Sequence, residues 1–191
     1  MKIILGSGSR QRKNILERMG YTFEVMPADI DEKAIRNGDP KALTMALAKA
    51  KAEALLPRIN EPALLITADQ VVLWNGEVLE KPETAEQARR FLEGYAYHPP
   101  RPINAVVVTN TASGLQAGAN DENTVYFRPF PGDVIEKLIG EGSVFSQAGA
   151  FSLENPLIAP YIERFEGTLE SIEGLPIKLT EQLLKKVQED G

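Results

Sequence analysis

The chain has no cysteine and only one histidine and one tryptophan in 191 residues. The absence of cysteine excludes disulfides, thiolate metal sites and a thiol nucleophile. A single imidazole, His98, excludes multi-histidine metal centres and leaves little room for a serine–histidine–aspartate triad. His98 stands in Tyr97-His98-Pro99-Pro100, a stiff segment that reads as a solvated loop. No apolar run approaches the roughly 18 residues a membrane helix needs, and no secretory leader is evident, so a cytoplasmic, membrane-free setting is expected. Positive charge is also scarce: the formal net charge is −6 and the pI about 5.0. That balance argues against polymeric nucleic acid as a partner, because binding a phosphate backbone requires clustered Lys and Arg. A single nucleotide remains compatible with it, provided the cations are concentrated locally.

What is present suits an ordinary globular protein. Apolar residues make up 43% and charged residues 25% of the chain, enough to bury a substantial core in one domain spanning 1–191. Residues 2–5 read as a short buried strand, followed by a helix over about 11–19 and a strand over 21–26. A helix over 40–56 follows, its register placing Lys51 beside the apolar stripe that contains Leu47. The apolar run 64–74 leads into Asn75-Gly76, a two-residue hairpin signal, with 77–79 as the returning strand. Thr84 fits an N-cap for a helix over 85–93, with Gln87 placed as in a capping box. Segments 103–109 and 123–128 read as strands paired around the Ser113-Gly114 turn. A helix over 131–139 with a glycine stop, a strand over 159–165 and a terminal amphipathic helix over 176–187 complete the pattern. Hairpins mixed with helical crossovers predict an α/β fold with a mixed, twisted sheet flanked by helices.

Two segments carry the chemical signal. Thr67-Ala68-Asp69-Gln70-Val71-Val72 places one carboxylate between apolar stretches, where ionisation is costly unless cations or donors compensate it. Gly6-Ser7-Gly8-Ser9 joins a strand to a helix that begins with Arg10, Arg12 and Lys13. Small residues at a helix N-terminus offer N–H groups and hydroxyls to phosphate, and arginine adds bidentate donors. The loop is neither a P-loop nor a dinucleotide fingerprint, and alone it reads equally as a turn. Asp69 alone reads equally as a strand-end turn residue. Asp29, Asp31, Glu32 and Asp69 are the oxygen-ligand candidates, a donor set that suits Mg²⁺ or Mn²⁺. Lys51 and Lys81 are either surface lysines or the cations that neutralise a departing polyphosphate.

Taken together, these blocks resemble the Maf family of nucleoside triphosphate pyrophosphatases, or septum formation inhibitor-like proteins. The likeness runs through Leu5-Gly6-Ser7-Gly8-Ser9 with Arg12-Lys13, Asp29-Ile30-Asp31-Glu32, Leu47-Ala48 with Lys51-Ala52, and Ala68-Asp69 with Val71-Val72. It continues in Asn75-Gly76-Glu77 with Lys81-Pro82, in 124–129, in Ala148-Gly149-Ala150 and in Gly174-Leu175-Pro176. The resemblance implies a two-lobed, inosine triphosphatase-like architecture with a central cleft and a homodimer. It also implies hydrolysis of a nucleoside triphosphate to the monophosphate and pyrophosphate. Asp69, Glu32 and Lys81 become the catalytic positions, with Asp69 and Glu32 on a divalent cation. Ser7, Gly8, Ser9, Arg12, Lys51, Gln70 and Glu154 become substrate-binding positions.

Departures from the family pattern bear on the base. Arg10-Gln11-Arg12 stands where the family reads Pro-Arg-Arg, and Gln70 stands where bacterial members carry Thr. Segment 146–154 ends in Glu154 where the family has Gln, exchanging a donor–acceptor amide for a charged acceptor. The expected substrates are dTTP and UTP, or modified nucleotides. The inosine triphosphatase family is a weaker match, because its Ser/Thr-Gly-Asn-x-x-Lys start is lacking. A nucleotide-binding regulatory protein without turnover is the alternative of a different class.

Overall fold

The computed structural model describes residues 1–189. Among the described residues eight strands and six α-helices follow in the order β1 (Lys2–Leu5), α1 (Arg10–Arg18), β2 (Phe23–Val25), α2 (Pro40–Leu55), β3 (Ala63–Trp74), β4 (Glu77–Leu79), α3 (Ala85–Gly94), β5 (Arg101–Asn110), β6 (Gln116–Glu122), β7 (Thr124–Phe127), α4 (Gly132–Glu141), β8 (Ile162–Glu166), α5 (Leu169–Ile172) and α6 (Ile177–Glu189). They form a six-stranded sheet of order β2-β1-β3-β5-β6, with β4 added on β3, and a two-stranded sheet β7-β8. β1 runs parallel to β2 and to β3, and β4 runs antiparallel to β3, so the sheet is mixed. Among the described residues no helix is long and apolar enough to cross a membrane.

The chain divides into two compact units, one of Met1–Asp69, Asn104–Asp121 and Glu173–Gly191, the other of Gln70–Ile103 and Glu122–Ile172. The first is a three-layer α/β/α arrangement, and the period-2 alternation of its strands explains it. Ile3, Leu5, Leu64, Ile66, Val106 and Val108 pack with Ile15 and Leu16 of α1 and Leu183, Leu184 and Val187 of α6. The opposite face sends Ile4 and Leu65 to Ala52 and Leu55 of α2, and Ala105 and Val107 to Ala48. Alanines at 48 and 52, both fully buried, let α2 lie close on the strands.

The second unit has an aromatic core. Trp74, Phe91, Tyr95, Phe127, Phe130 and Phe151 are gathered with Leu79, Leu92, Ile135 and Leu138. Tyr95 stacks on Phe127 at 5.8 Å between centroids and meets Phe151 edge-on at 5.5 Å. The β3–β4 hairpin turns at Asn75 (φ 47°) and Gly76 (φ 80°), the left-handed pair that an Asn-Gly signal anticipates. Thr84 caps α3 by accepting from the Gln87 amide at 3.2 Å, while the Gln87 side chain accepts from the Glu83 amide at 2.7 Å. His98 is exposed, and its carbonyl accepts from the Trp74 indole at 2.9 Å.

One predicted pairing is wrong. β5 neighbours β6, not β7, across the Ser113-Gly114 turn, and β7 pairs antiparallel with β8. β6 reads Gln-Ala-Gly-Ala-Asn-Asp-Glu, without a β-branched or aromatic residue, so no propensity signal marks it. Its place in the sheet comes from partnership: Asn110 N donates to Leu115 O at 2.9 Å, and Gln116 Nε2 to Thr109 Oγ1 at 2.9 Å. Other shifts are at element ends. The helix expected over 131–139 runs two residues further and stops at Gly142 (φ 75°), and the strand expected from 159 begins at Ile162 after a 3₁₀ turn.

Candidate active site

β1 and β3 run in parallel with Leu5 opposite Ile66, so the loop leaving β1 lies beside Thr67, Ala68 and Asp69. The crevice outside the carboxyl ends of parallel strands is where α/β sheets commonly bind ligands. Gly6 makes this approach possible: a Cβ there would fall 2.6 Å from the Thr67 methyl and 2.7 Å from a Leu55 methyl. Its amide donates to Ile66 O at 2.7 Å. Ser7 is buried, and its Oγ accepts from the Ser9 amide and from Arg12 Nη1, both at 3.2 Å. Ser9 is the N-cap of α1, accepting from the Arg12 amide at 3.4 Å. Gly8 is exposed.

Arg12 ties three segments together. Its Nε donates to Gly174 O at 2.9 Å, and Nη1 donates to Ala68 O at 2.9 Å as well as to Ser7. Desolvation lowers its pKa, opposed by the charges of Asp69 and Glu32. The other two cations of the helix start behave differently. Arg10 is exposed, and Lys13 sits 3.8 Å from Glu17 one helical turn on.

Asp69 and Lys51 form a buried ion pair. Lys51 Nζ lies 2.5 Å from Asp69 Oδ1, and the two residues are 8% and 6% exposed. Lys51 belongs to the buried stripe of α2, and that helix is keyed to β3 by the fully buried Thr67, whose hydroxyl donates to Ala48 O at 2.8 Å. The same Nζ is 2.9 Å from Glu32 Oε1, in an exposed 3₁₀ turn capped by Asp31. Burial raises the Asp69 pKa above the ordinary carboxylate range. The Lys51 and Arg12 charges and the Lys51 hydrogen bond pull it down, and Glu32 adds to the rise. A carboxylate whose pKa is raised by burial is a stronger proton acceptor than an exposed one.

Of the residues singled out from the sequence, Ser7, Arg12, Glu32, Lys51 and Asp69 therefore share one cluster, with Gly8 and Ser9 in its loop. Asp29 is exposed, and the Asp31 carboxylate accepts from the Lys33 amide at 3.1 Å. Gln70 is half-buried on β3, its Nε2 donating to Ile172 O at 2.8 Å. Lys81 is exposed in the bend after β4, and Glu154 is exposed in a turn, its amide donating to Ser152 Oγ at 3.3 Å. Gln70, Lys81 and Glu154 belong to the second unit. Sequence reasoning missed Thr67 as the key between α2 and β3. It also missed the Gly174 carbonyl as an anchor for Arg12, although Gly174-Leu175-Pro176 was visible as a block.

The donor set fits a hard divalent cation. Asp69 and Glu32 present carboxylate oxygens to one shared point, the Lys51 ammonium, and oxygen-only donors are what Mg²⁺ and Mn²⁺ take. Among the described residues there is no group of three or more acidic or histidine side chains around a common point. Further ligands would have to come from substrate oxygens or water, as is usual for these ions.

Comparison with known proteins identifies the family. The family model described as Maf-like protein matches residues 2–187. A 7-methyl-GTP pyrophosphatase of Dictyostelium discoideum is 42% identical over 194 residues, covering 98% of this chain and 98% of that protein. A dTTP/UTP pyrophosphatase of Chromobacterium violaceum is 34% identical, covering 96% of this chain and 93% of that protein. One of Bdellovibrio bacteriovorus is 31% identical, covering 96% and 97%. Among solved structures, a nucleoside-triphosphatase (dITP/XTP pyrophosphatase) from Mycobacterium abscessus aligns with a TM-score of 0.43 and 12% identity, over 69% of this chain and 76% of that one.

Proposed function

The chain belongs to the Maf-like protein family, and from that premise we propose that it hydrolyses a nucleoside triphosphate to the monophosphate and pyrophosphate. The observation that carries this reading is the buried Asp69–Lys51 pair beside the Gly-Ser loop. In the proposed reaction a water oxygen bonds to the α-phosphorus, the bond to the α–β bridging oxygen breaks, and the water proton passes to the Asp69 carboxylate. Ser7, Gly8 and Ser9, at the positive end of the α1 dipole, bind the phosphates. Arg12 holds that loop against the middle of β3, at Ala68. Lys51 and Lys81 neutralise the departing pyrophosphate. Asp69 and Glu32 are the residues that would hold Mg²⁺ or Mn²⁺, which would neutralise negative charge on the phosphate oxygens. The chain acts as one functional domain and as a homodimer in the cytoplasm.

For the base, the 7-methyl-GTP name of the Dictyostelium relative supports a modified guanine nucleotide. Methylation at N7 makes guanine cationic, and Glu154 offers a carboxylate where a neutral glutamine would have no charge to match it. The amide of Gln70 is committed to the Ile172 carbonyl, which leaves its oxygen as an acceptor for base N–H groups. A second reading, dTTP and UTP, is supported by the names of the bacterial relatives.

Pyrophosphate release over 7-methyl-GTP, GTP, dTTP and UTP, with Mg²⁺ or Mn²⁺ and Asp69→Asn as control, tests both levels. The expected result is metal-dependent release with 7-methyl-GTP preferred, and a preference over GTP that shrinks in Glu154→Gln. Orthophosphate with a nucleoside diphosphate as products would sink the cleavage assignment. Tight nucleotide binding without release above the control would make the protein a regulator. A dTTP and UTP preference would move the base assignment to the second reading.

A further inference from the structure

We propose that Lys51 is the resident counter-ion of the Asp69–Glu32 pair in the free protein, and that it leaves them for the substrate phosphates as the divalent cation binds. Cation and triphosphate then load as a coupled pair rather than independently. This rests on the hydrolase reading above and adds a role for Lys51 that precedes catalysis.

The geometry carries it. One ammonium is within 2.5 Å of Asp69 and 2.9 Å of Glu32, so it occupies the point on which both carboxylates converge. A divalent ion such as Mg²⁺ bonded to those oxygens at about 2.0–2.1 Å would stand against Nζ, and two cations at that range repel strongly in a partly buried site. The lysine backbone cannot retreat, because α2 is fixed by the Thr67–Ala48 hydrogen bond and by Ala48 and Ala52 packed on the strands. The side chain can, since it is a flexible four-carbon stem. Moving it without a new anion would strand a buried ammonium, which is costly. A triphosphate supplies that anion. Each ligand therefore removes part of the other's cost, and linkage makes the effect reciprocal.

Mn²⁺ binding to the nucleotide-free protein, followed by electron paramagnetic resonance, tests this directly. Wild type is expected to bind weakly and Lys51→Met to bind about tenfold more tightly or better. Lys51→Arg, which keeps the charge, should bind as weakly as wild type. Glu32→Gln placed in the Lys51→Met background should return the affinity toward wild type. Circular dichroism checks the fold, and Lys51→Gln serves as the neutral variant if methionine is not tolerated. Equal Mn²⁺ affinity in wild type and in a folded neutral variant would overturn the proposal. Pyrophosphate release by the same wild-type preparation keeps the two readings apart. Release with equal affinities removes only the role of Lys51, whereas no release with unequal affinities removes the hydrolase reading and leaves the counter-ion in place.

Discussion

The unit built on β1, β3 and α2 buries charge, and the unit that contains α3, α4 and the β7–β8 pair buries rings. In the first, Lys51 and Asp69 are both less than a tenth exposed within a framework of Leu, Ile, Val and Ala. In the second, Trp74, Tyr95, Phe127 and Phe151 contact one another at centroid distances of 5.4–5.9 Å. The one ionisable group among those rings, Tyr95, is kept neutral: burial raises its pKa well above 10, and its hydroxyl donates to the Gly149 carbonyl. Aromatic packing adds stability beyond the area it hides. A buried ion pair seldom does, because desolvation offsets the attraction. The contrast separates a buried pair whose desolvation offsets its attraction from rings whose burial stabilises the fold.

The sharpest break in that contrast is Asp69→Asn. If Asp69 accepts the proton, kcat should fall on the order of 10³-fold, in a steady-state pyrophosphate assay. Stability should move the other way. Because the folded-state pKa of Asp69 is raised, its contribution to stability is present at low pH and is lost as pH rises through that pKa. At neutral pH the asparagine variant should therefore melt no lower than wild type, and the difference should close as the pH is lowered through the raised pKa. Wild-type activity should show an acid limb above the ordinary carboxylate value of 3.8, and residual activity in the variant should lack it.

Phe127→Ala attacks the other side of the comparison. Removing a ring packed on Tyr95, Phe130 and Phe151 should cost about 3–5 kcal/mol by chemical denaturation. The kcat of the fraction still folded should be nearly unchanged. Thr67→Val tests the key between α2 and β3: it leaves Ala48 O without its hydroxyl donor and should cost about 1–3 kcal/mol. It should also lower kcat by displacing Lys51, which Phe127→Ala should not do. The smallest effect is expected from Thr84→Ala, a lost N-cap on α3 that should reduce stability by about 1 kcal/mol and leave activity alone.

Local signals were legible where local physics decides. Asn75-Gly76 announced its hairpin because that turn needs two left-handed residues, and Thr84 announced the start of α3 because its hydroxyl satisfies an orphan amide. The Gly-Ser loop, Asp69 and Lys51 stood out because each is an unusual residue in its setting. β6 was not legible, since its alanines, glycine and polar residues become a strand only through their neighbour. By residue chemistry alone Glu32 was not distinguishable from Asp29 and Asp31, which share the same acidic stretch. The family resemblance singled it out, and the contact with Lys51 Nζ supplies the physical ground.

From composition and pattern alone came the exclusion of thiol and multi-histidine chemistry and the α/β class, because residue type and periodicity are properties of the chain; the family came from the resemblance of its ordered motif blocks. The tertiary structure alone decided that Arg12 spends its Nε on a carbonyl 162 residues away and that one ammonium stands between two carboxylates. Partners so distant are chosen by strand register and helix packing, which no local stretch of sequence encodes.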